Sequence, residues 1–257
     1  MADIYQEIVR IKEEGGEAAL VTIVSATGST PREEGAKMLV KPDGTITGTI
    51  GGGTLEAQVI GEAIKVIKQG KPKRLHISLT AKEADEAGMI CGGDLEVFIE
   101  PILTAPTLYI FGGGHVSLPL ARMGRLLGFK IAVIDDRAEF ASAERFPEAE
   151  IILADDFTKS FPKLRIDKTS YIVIVTHGHQ HDELVLEWAV GTPAKYIGMI
   201  GSKTKVKTIY SHLLAKGVSK AKLYGVHSPI GLEIEAQTPE EIAVSILAEI
   251  VKVRRSA

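Results

Sequence analysis

The sequence has 257 residues, 45% apolar and 25% charged, a balance that fits a soluble globular chain of one large domain or two small ones. A net charge of −3 speaks against a dedicated nucleic-acid binder, which carries a basic excess. No apolar run approaches the ~20 residues that cross a bilayer, and one cysteine, Cys91, excludes an intrachain disulfide framework. The first residues carry charges where a signal peptide would have an apolar core, so a cytoplasmic location is expected. There are 26 Gly, above the usual share of about 7%, and where they sit organises the reading that follows.

Ile4, Ile8, Val9 and Ile11 recur at helical spacing until Gly15-Gly16 ends the run. Residues 18–25, 37–40 and 45–50 read as strands. Between the last two, Pro42-Asp43-Gly44 is a turn signal: Pro presets φ, Asp bonds the backbone locally and Gly accepts a positive φ. A helical pattern follows at 55–69, then strands at 74–79 and 95–99. Pro101 and Pro106 bracket a short linker. After it, apolar runs at 107–111, 130–134, 151–153, 171–175 and 195–199 alternate with helical patterns at 116–127, 183–190 and 203–216. That alternation predicts a parallel sheet with βαβ crossovers. A final helix at 239–254 opens with Thr238 as cap, Pro239 at its first position and Glu241 at its third. The expected fold class is α/β: a small mixed α/β domain at 1–104, then a Rossmann-like parallel-sheet domain at 105–257.

Four glycine-rich turns carry the candidate chemistry. In the second half, a strand runs into Gly112-Gly113-Gly114-His115-Val116-Ser117. Gly112 and Gly114 fit the first two glycines of a dinucleotide turn, where a pyrophosphate approaches a helix N-terminus; Ser117 fills the third position. Asp135-Asp136 ends the next strand, where a ribose-binding carboxylate belongs. Together these suit an NAD(P)-type nucleotide, Asp135 favouring NAD; the plainer reading is a parallel-sheet turn that binds nothing.

Thr176-His177-Gly178-His179-Gln180-His181-Asp182 follows another strand, at the edge where ligands gather in such sheets. His177, His179, His181 and Asp182 are a metal-capable set. A polar loop capping the next helix, or one touching substrate, is the favoured reading, and no metal site is assigned. Gly201-Ser202-Lys203 opens a helix with lysines nearby, a phosphate cradle or a solvated face equally well.

In the first half, Gly51-Gly52-Gly53-Thr54-Leu55-Glu56 leads from strand to helix. The segment Gly28-Ser29-Thr30-Pro31-Arg32 offers hydroxyls and a cation. Gly88-Met89-Ile90-Cys91-Gly92-Gly93 holds the lone thiol. Glycine amides beside a thiol stabilise its thiolate, whereas a structural cysteine more often sits inside an apolar run. Cys91 is either a buried small residue or a working thiol.

These segments, taken in order along nearly the whole chain, resemble the XdhC/CoxI-type accessory proteins of molybdenum hydroxylases. The resemblance extends to Ile200-Gly201-Ser202-Lys203 and to the stretch from Ser228-Pro229-Ile230-Gly231-Leu232 to Thr238-Pro239-Glu240-Glu241-Ile242-Ala243. It implies an accessory factor (chaperone) that binds the molybdenum cofactor transiently and assists its sulfuration and insertion into a client such as xanthine dehydrogenase. Such a protein is more a cofactor handler than a catalyst. A cysteine desulfurase is an implied partner, and a homo-oligomer, often a dimer, is the implied state. Cys91 is then the residue for cofactor or sulfur handling. Arg32, Gly51, Gly52, Gly53, Gly92, Gly93, Gly112, Gly114, His115, Asp135, His179, Asp182, Gly201, Ser202 and Lys203 are the candidate cofactor-binding set. Many such proteins carry Cys where this chain has Thr54 and Arg where it has His177. The competing readings are an NAD(P)-dependent oxidoreductase and, further off, a metal-dependent hydrolase or a docking scaffold.

Overall fold

The computed structural model describes residues 3–78 and 93–256. The chain divides into two compact units, Met1–Thr104 and Ala105–Ala257. Among the described residues, no helix is long and apolar enough to cross a membrane.

Among the described residues, the first unit is a five-stranded antiparallel sheet between two helices. Its strands are β1 (Ala18–Gly28), β2 (Lys37–Val40), β3 (Ile46–Gly48), β4 (Lys73–Ser78) and β5 (Gly93–Ile102), in the order β3-β2-β1-β5-β4. The period-two alternation of β1 separates two cores. Ala19, Val21 and Ile23 pack with Leu55, Val59, Ala63 and Val66 of helix α2 (Gly53–Gln69), while Ala18 and Leu20 pack with Ile11 of helix α1 (Ile4–Glu13). The turn between β2 and β3 works as its residues suggest. Gly44 takes φ +84°, and Asp43 Oδ1 accepts from the Thr45 amide at 2.9 Å and its hydroxyl at 2.7 Å. Helix α2 ends on Gly70 in the left-handed region, as glycine allows without a Cβ penalty.

The second unit is a fully parallel sheet of β6 (Thr107–Phe111), β7 (Lys130–Asp135), β8 (Ile151–Ala154), β9 (Ser170–Ile174) and β10 (Tyr196–Met199). The order is β8-β7-β6-β9-β10, so β6 is central and the chain reverses its direction of travel across the sheet beside it. The three inner strands, β6, β7 and β9, are buried on both faces, which explains why the sequence shows continuous apolar runs there rather than alternation. One face (Leu108, Ile110, Ile131, Val133, Val173) is covered by α3 (Ser117–Leu126) and α8 (Pro239–Arg255). The other (Phe111, Ala132, Ile134, Ile172, Ile174) is covered by α5 (His179–Ala189) and α6 (Lys203–Ala215). Short helices α4 (Phe157–Ser160) and α7 (Lys220–Tyr224) complete this layer. The capping box at the head of α8 is present: Thr238 Oγ1 accepts from the Glu241 amide, and Glu241 Oε2 from the Thr238 amide.

Candidate functional site

Within the first unit, the glycine-rich segments meet around one turn. Gly51, Gly52 and Gly53 have φ of +142°, +81° and +62°, a run open only to residues without a Cβ. A Cβ on Gly51 would lie under 3.0 Å from the Pro31 ring, so the 28–32 segment rests directly on this turn. Gly93 is paired with Gly28, and a Cβ there would lie under 3.0 Å from the carbonyl oxygens of Thr27 and Ser29. The glycines at 51 and 93 therefore admit the same backbone segment from two sides.

Gly52 and Gly53 face open space at the head of α2, next to exposed Thr54. The Glu56 carboxylate has already taken part of this turn: its Oε2 accepts from Thr49 Oγ1 at 2.5 Å, the Ile50 amide at 3.2 Å and the Gly52 amide at 3.3 Å. Glu56 thus acts as the anion that holds the turn in shape, a role its place in the Gly-Gly-Gly-Thr-Leu-Glu run hints at. Arg32 is exposed and makes no ion pair among the described residues. Cys91 and Gly92, two candidates of the sequence reading, lie outside the described residues.

In the second unit, the turn after β6 lies at the carboxyl edge of the sheet, beside the reversal point. Gly112 (φ +107°) would clash through any Cβ with the Val175 carbonyl, and Gly113 with the Phe140 carbonyl; only Gly114 faces open space. The buried Ser117 hydroxyl donates to the Gly112 carbonyl, locking α3 onto the turn.

Asp135 serves this turn from beneath. It is fully buried; Oδ2 accepts from the Gly113 amide at 2.7 Å and from Arg137 Nη2 at 3.0 Å, and Oδ1 accepts from the Arg137 amide at 3.0 Å and Nε at 2.9 Å. Burial alone would push its carboxyl up. The Arg137 guanidinium and the Gly113 and Arg137 amides outweigh that and hold it below the usual carboxylate range. The guanidinium lies 3.7 Å from the Phe140 ring centre. Asp135 therefore presents no free oxygen to a ribose. The reason is the end of β7, where it turns inward, and Asp136 is the neighbour left at the edge.

Asp182 is likewise internal. It is fully buried; Oδ1 accepts from Thr176 Oγ1 at 2.7 Å and the Thr176 amide at 3.2 Å, and Oδ2 pairs with Lys205. It braces the histidine loop against α6. His179 and Ser202 line a groove of about 400 Å³ between α5 and α6, with Glu183 and His212. Ser202 caps α6, its Oγ accepting from the Lys205 amide at 3.3 Å; Lys203 is exposed, and Gly201 packs under the Lys205 stem. His115 is exposed and borders a different groove of about 550 Å³, with Arg122, Ile234 and Val244.

The structure thus divides the sequence-predicted histidine cluster. His177 and His181 turn toward the end of β7, where Asp136 Oδ1 is 2.9 Å from His177 Nε2 and Oδ2 is 3.9 Å from His181 Nε2. Their ring centres lie 4.6 Å apart, and the His181 ring stands 5.3 Å from that of Phe157. Sequence reasoning missed Asp136, although the paired Asp135-Asp136 was the signal for it, and missed Lys205 and Arg137, which no local pattern distinguishes from solvated cations.

A family model described as the XdhC Rossmann domain matches residues 108–250, and one described as the XdhC and CoxI family matches residues 11–78. The chain belongs to the XdhC/CoxI family. Among curated relatives it is similar to "Uncharacterized protein YqeB" of Escherichia coli (strain K12), 37% identical over 99% of this chain and 47% of that protein. It is 32% identical to a protein of Bacillus subtilis (strain 168) named as a probable xanthine dehydrogenase component, over 62% of this chain and 46% of that one. The chain spans about half the length of these two relatives. A third, "Molybdenum cofactor insertion chaperone PaoD" of Escherichia coli (strain K12), is 24% identical over 99% of this chain and 90% of its own. A Bacillus halodurans crystal structure described as a xanthine dehydrogenase shares the fold with a TM-score of 0.55, at 24% identity, covering 98% of this chain and 95% of that one.

Proposed function

We propose that this chain is a cofactor-handling protein that binds the molybdenum cofactor as cargo and assists its sulfuration and insertion into a molybdenum hydroxylase of the xanthine dehydrogenase type. The carrying observation is membership of the XdhC/CoxI family through both units, with a relative named as a molybdenum cofactor insertion chaperone aligned along nearly all of both chains. The cargo is anionic through its phosphate and thiophilic through its metal. The open space at Gly52 and Gly53, at the positive end of the 17-residue helix α2, suits the phosphate, with Arg32 as a nearby cation. Cys91 is the thiol assigned to the metal or its sulfur. A client hydroxylase, a sulfur-donating desulfurase and a homo-oligomer, in the cytoplasm, are the partners and setting of this reading.

An NAD-dependent oxidoreductase has weaker support, because the Asp135 carboxylate is spent on Gly113 and Arg137. The test is to purify the protein from cells that make the cofactor, measure the pterin that copurifies, and assay activation of a client apoenzyme. Cofactor retention by the wild-type chain, and loss of activation in Cys91→Ser with the fold intact, are expected. No retained cofactor overturns the reading. Full activation by Cys91→Ser overturns the thiol's part in it.

A further inference from the structure

The geometry points to a divalent transition-metal site formed by Asp136, His177 and His181 at the carboxyl edge of the parallel sheet. This inference is independent of the cofactor-handling reading. It rests on a ligand set that the sequence alone does not group. Of the local cluster His177, His179, His181 and Asp182, only His177 and His181 converge. The third ligand comes from the end of β7, on the far side of β6 from the histidine loop.

One ligand atom from each of the three side chains lies within 4.8 Å of the others. Zinc holds nitrogen and oxygen at about 2.0–2.2 Å, which spaces tetrahedral ligands by roughly 3.4 Å. The observed 2.9 Å and 3.9 Å, measured to the two different oxygens of Asp136, fall on either side of that spacing. Shifts on the order of 1 Å, within the reach of side-chain rotation, bring all three onto one ion.

The directions of the three side chains suit a shared ion. Both Nε2 atoms are directed at one carboxylate, one to each oxygen. A dication accepts both rings in their neutral form together with the carboxylate. The neighbouring cation does not compete: Arg137 Nε is 4.0 Å from Asp136 and is bonded to Asp135 at 2.9 Å. Asp182, the other acid of the loop, is held by Lys205 and stays out of the set. Two imidazoles and one carboxylate suit zinc, ferrous iron or nickel rather than calcium or magnesium, and three protein ligands leave a coordination position open.

The test is calorimetric titration of zinc into the metal-free full chain in a Cys91→Ser background, which removes the thiol as a competing ligand. One equivalent should bind. Asp136→Asn, His177→Ala and His181→Ala should each weaken binding about tenfold or more. His179→Ala, from the same loop but the α5–α6 groove, should leave it unchanged. Asp136→Asn keeps a hydrogen-bonding group for His177, so it separates loss of a ligand from loss of the fold, and thermal unfolding of each metal-free variant checks this. Cobalt(II) bound at the site should show a d–d spectrum that the same three substitutions abolish. Absence of stoichiometric binding overturns the proposal. So does binding that is insensitive to these three residues, or that His179→Ala weakens as much as they do.

Discussion

Replacing Asp135 by Asn tests whether this carboxylate is the keystone of the glycine turn or a ligand contact. In the structure its two oxygens accept four hydrogen bonds, two each. Asn has one acceptor oxygen, so whichever way the amide is turned, its NH2 group faces donors. A buried amide left unsatisfied costs about 1–3 kcal/mol. The lost ion pair adds about 1 kcal/mol at most, because the Arg137 side chain is 30% exposed and its charge remains solvated. The sum is about 1–4 kcal/mol. At roughly 2–4 °C per kcal/mol for a unit of this size, the unfolding transition of the second unit should fall by about 2–16 °C. Since the Asp135 carboxyl is held below the usual range, the wild-type advantage is complete above about pH 4 and disappears as pH falls through the lower folded value. Urea or thermal unfolding followed by circular dichroism measures both. A variant within 1 kcal/mol of wild type would refute the keystone role. Unchanged stability with altered NAD affinity would restore the ribose reading.

Three further perturbations probe the same framework. Gly112→Ala puts a Cβ against the Val175 carbonyl at φ +107° and should cost more than about 2 kcal/mol in urea unfolding; Gly114→Ala, which faces open space, should stay within about 0.5 kcal/mol. Lys205→Met strands the buried Asp182 carboxylate, an expected loss of about 3–5 kcal/mol. Adding Asp182→Asn should recover part of it, so the double-mutant cycle should show coupling above about 1 kcal/mol. Lys65 and then Lys73 bring the Glu62 carboxyl down to about 2; Lys65→Ala should raise the midpoint read by carboxyl NMR, and an unmoved midpoint would count against that pairing.

The elements were legible because their signals are local. Residues 107–111 and 130–134 read as apolar runs, Gly44 as a chain reversal, and Thr238 with Glu241 as a helix start. Helices α4 and α7, each one turn or little more, carry too few residues for a period to show. The site was less legible because its chemistry depends on which way neighbouring residues point. Asp135 and Asp136 are adjacent in sequence, yet one is sealed under Gly113 and the other meets His177 from the loop after β9 and His181 from the first turn of α5. The histidines are alike in composition, and only the start of α5 separates His181 from His179. No pattern in the sequence pairs residue 136 with residue 177, since the strand order that brings them together is a property of the whole sheet.

That strand order also has a consequence for the growing chain on the ribosome. β6 is the first strand of its sheet to be made, and β7, beginning at Lys130, can pair with one side of it early. The other side waits for β9, which begins only at Ser170. Through the synthesis of β8, α4 and the turns after them, this central strand is an open edge. Leu108, Ile110 and Phe111 share this wait with β1 of the antiparallel unit, which gains β2 within a short loop but β5 only from Gly93. The central position that seats the glycine turn at the reversal point therefore makes β6, like β1 before it, a stretch that depends on chaperones or rapid elongation during biosynthesis.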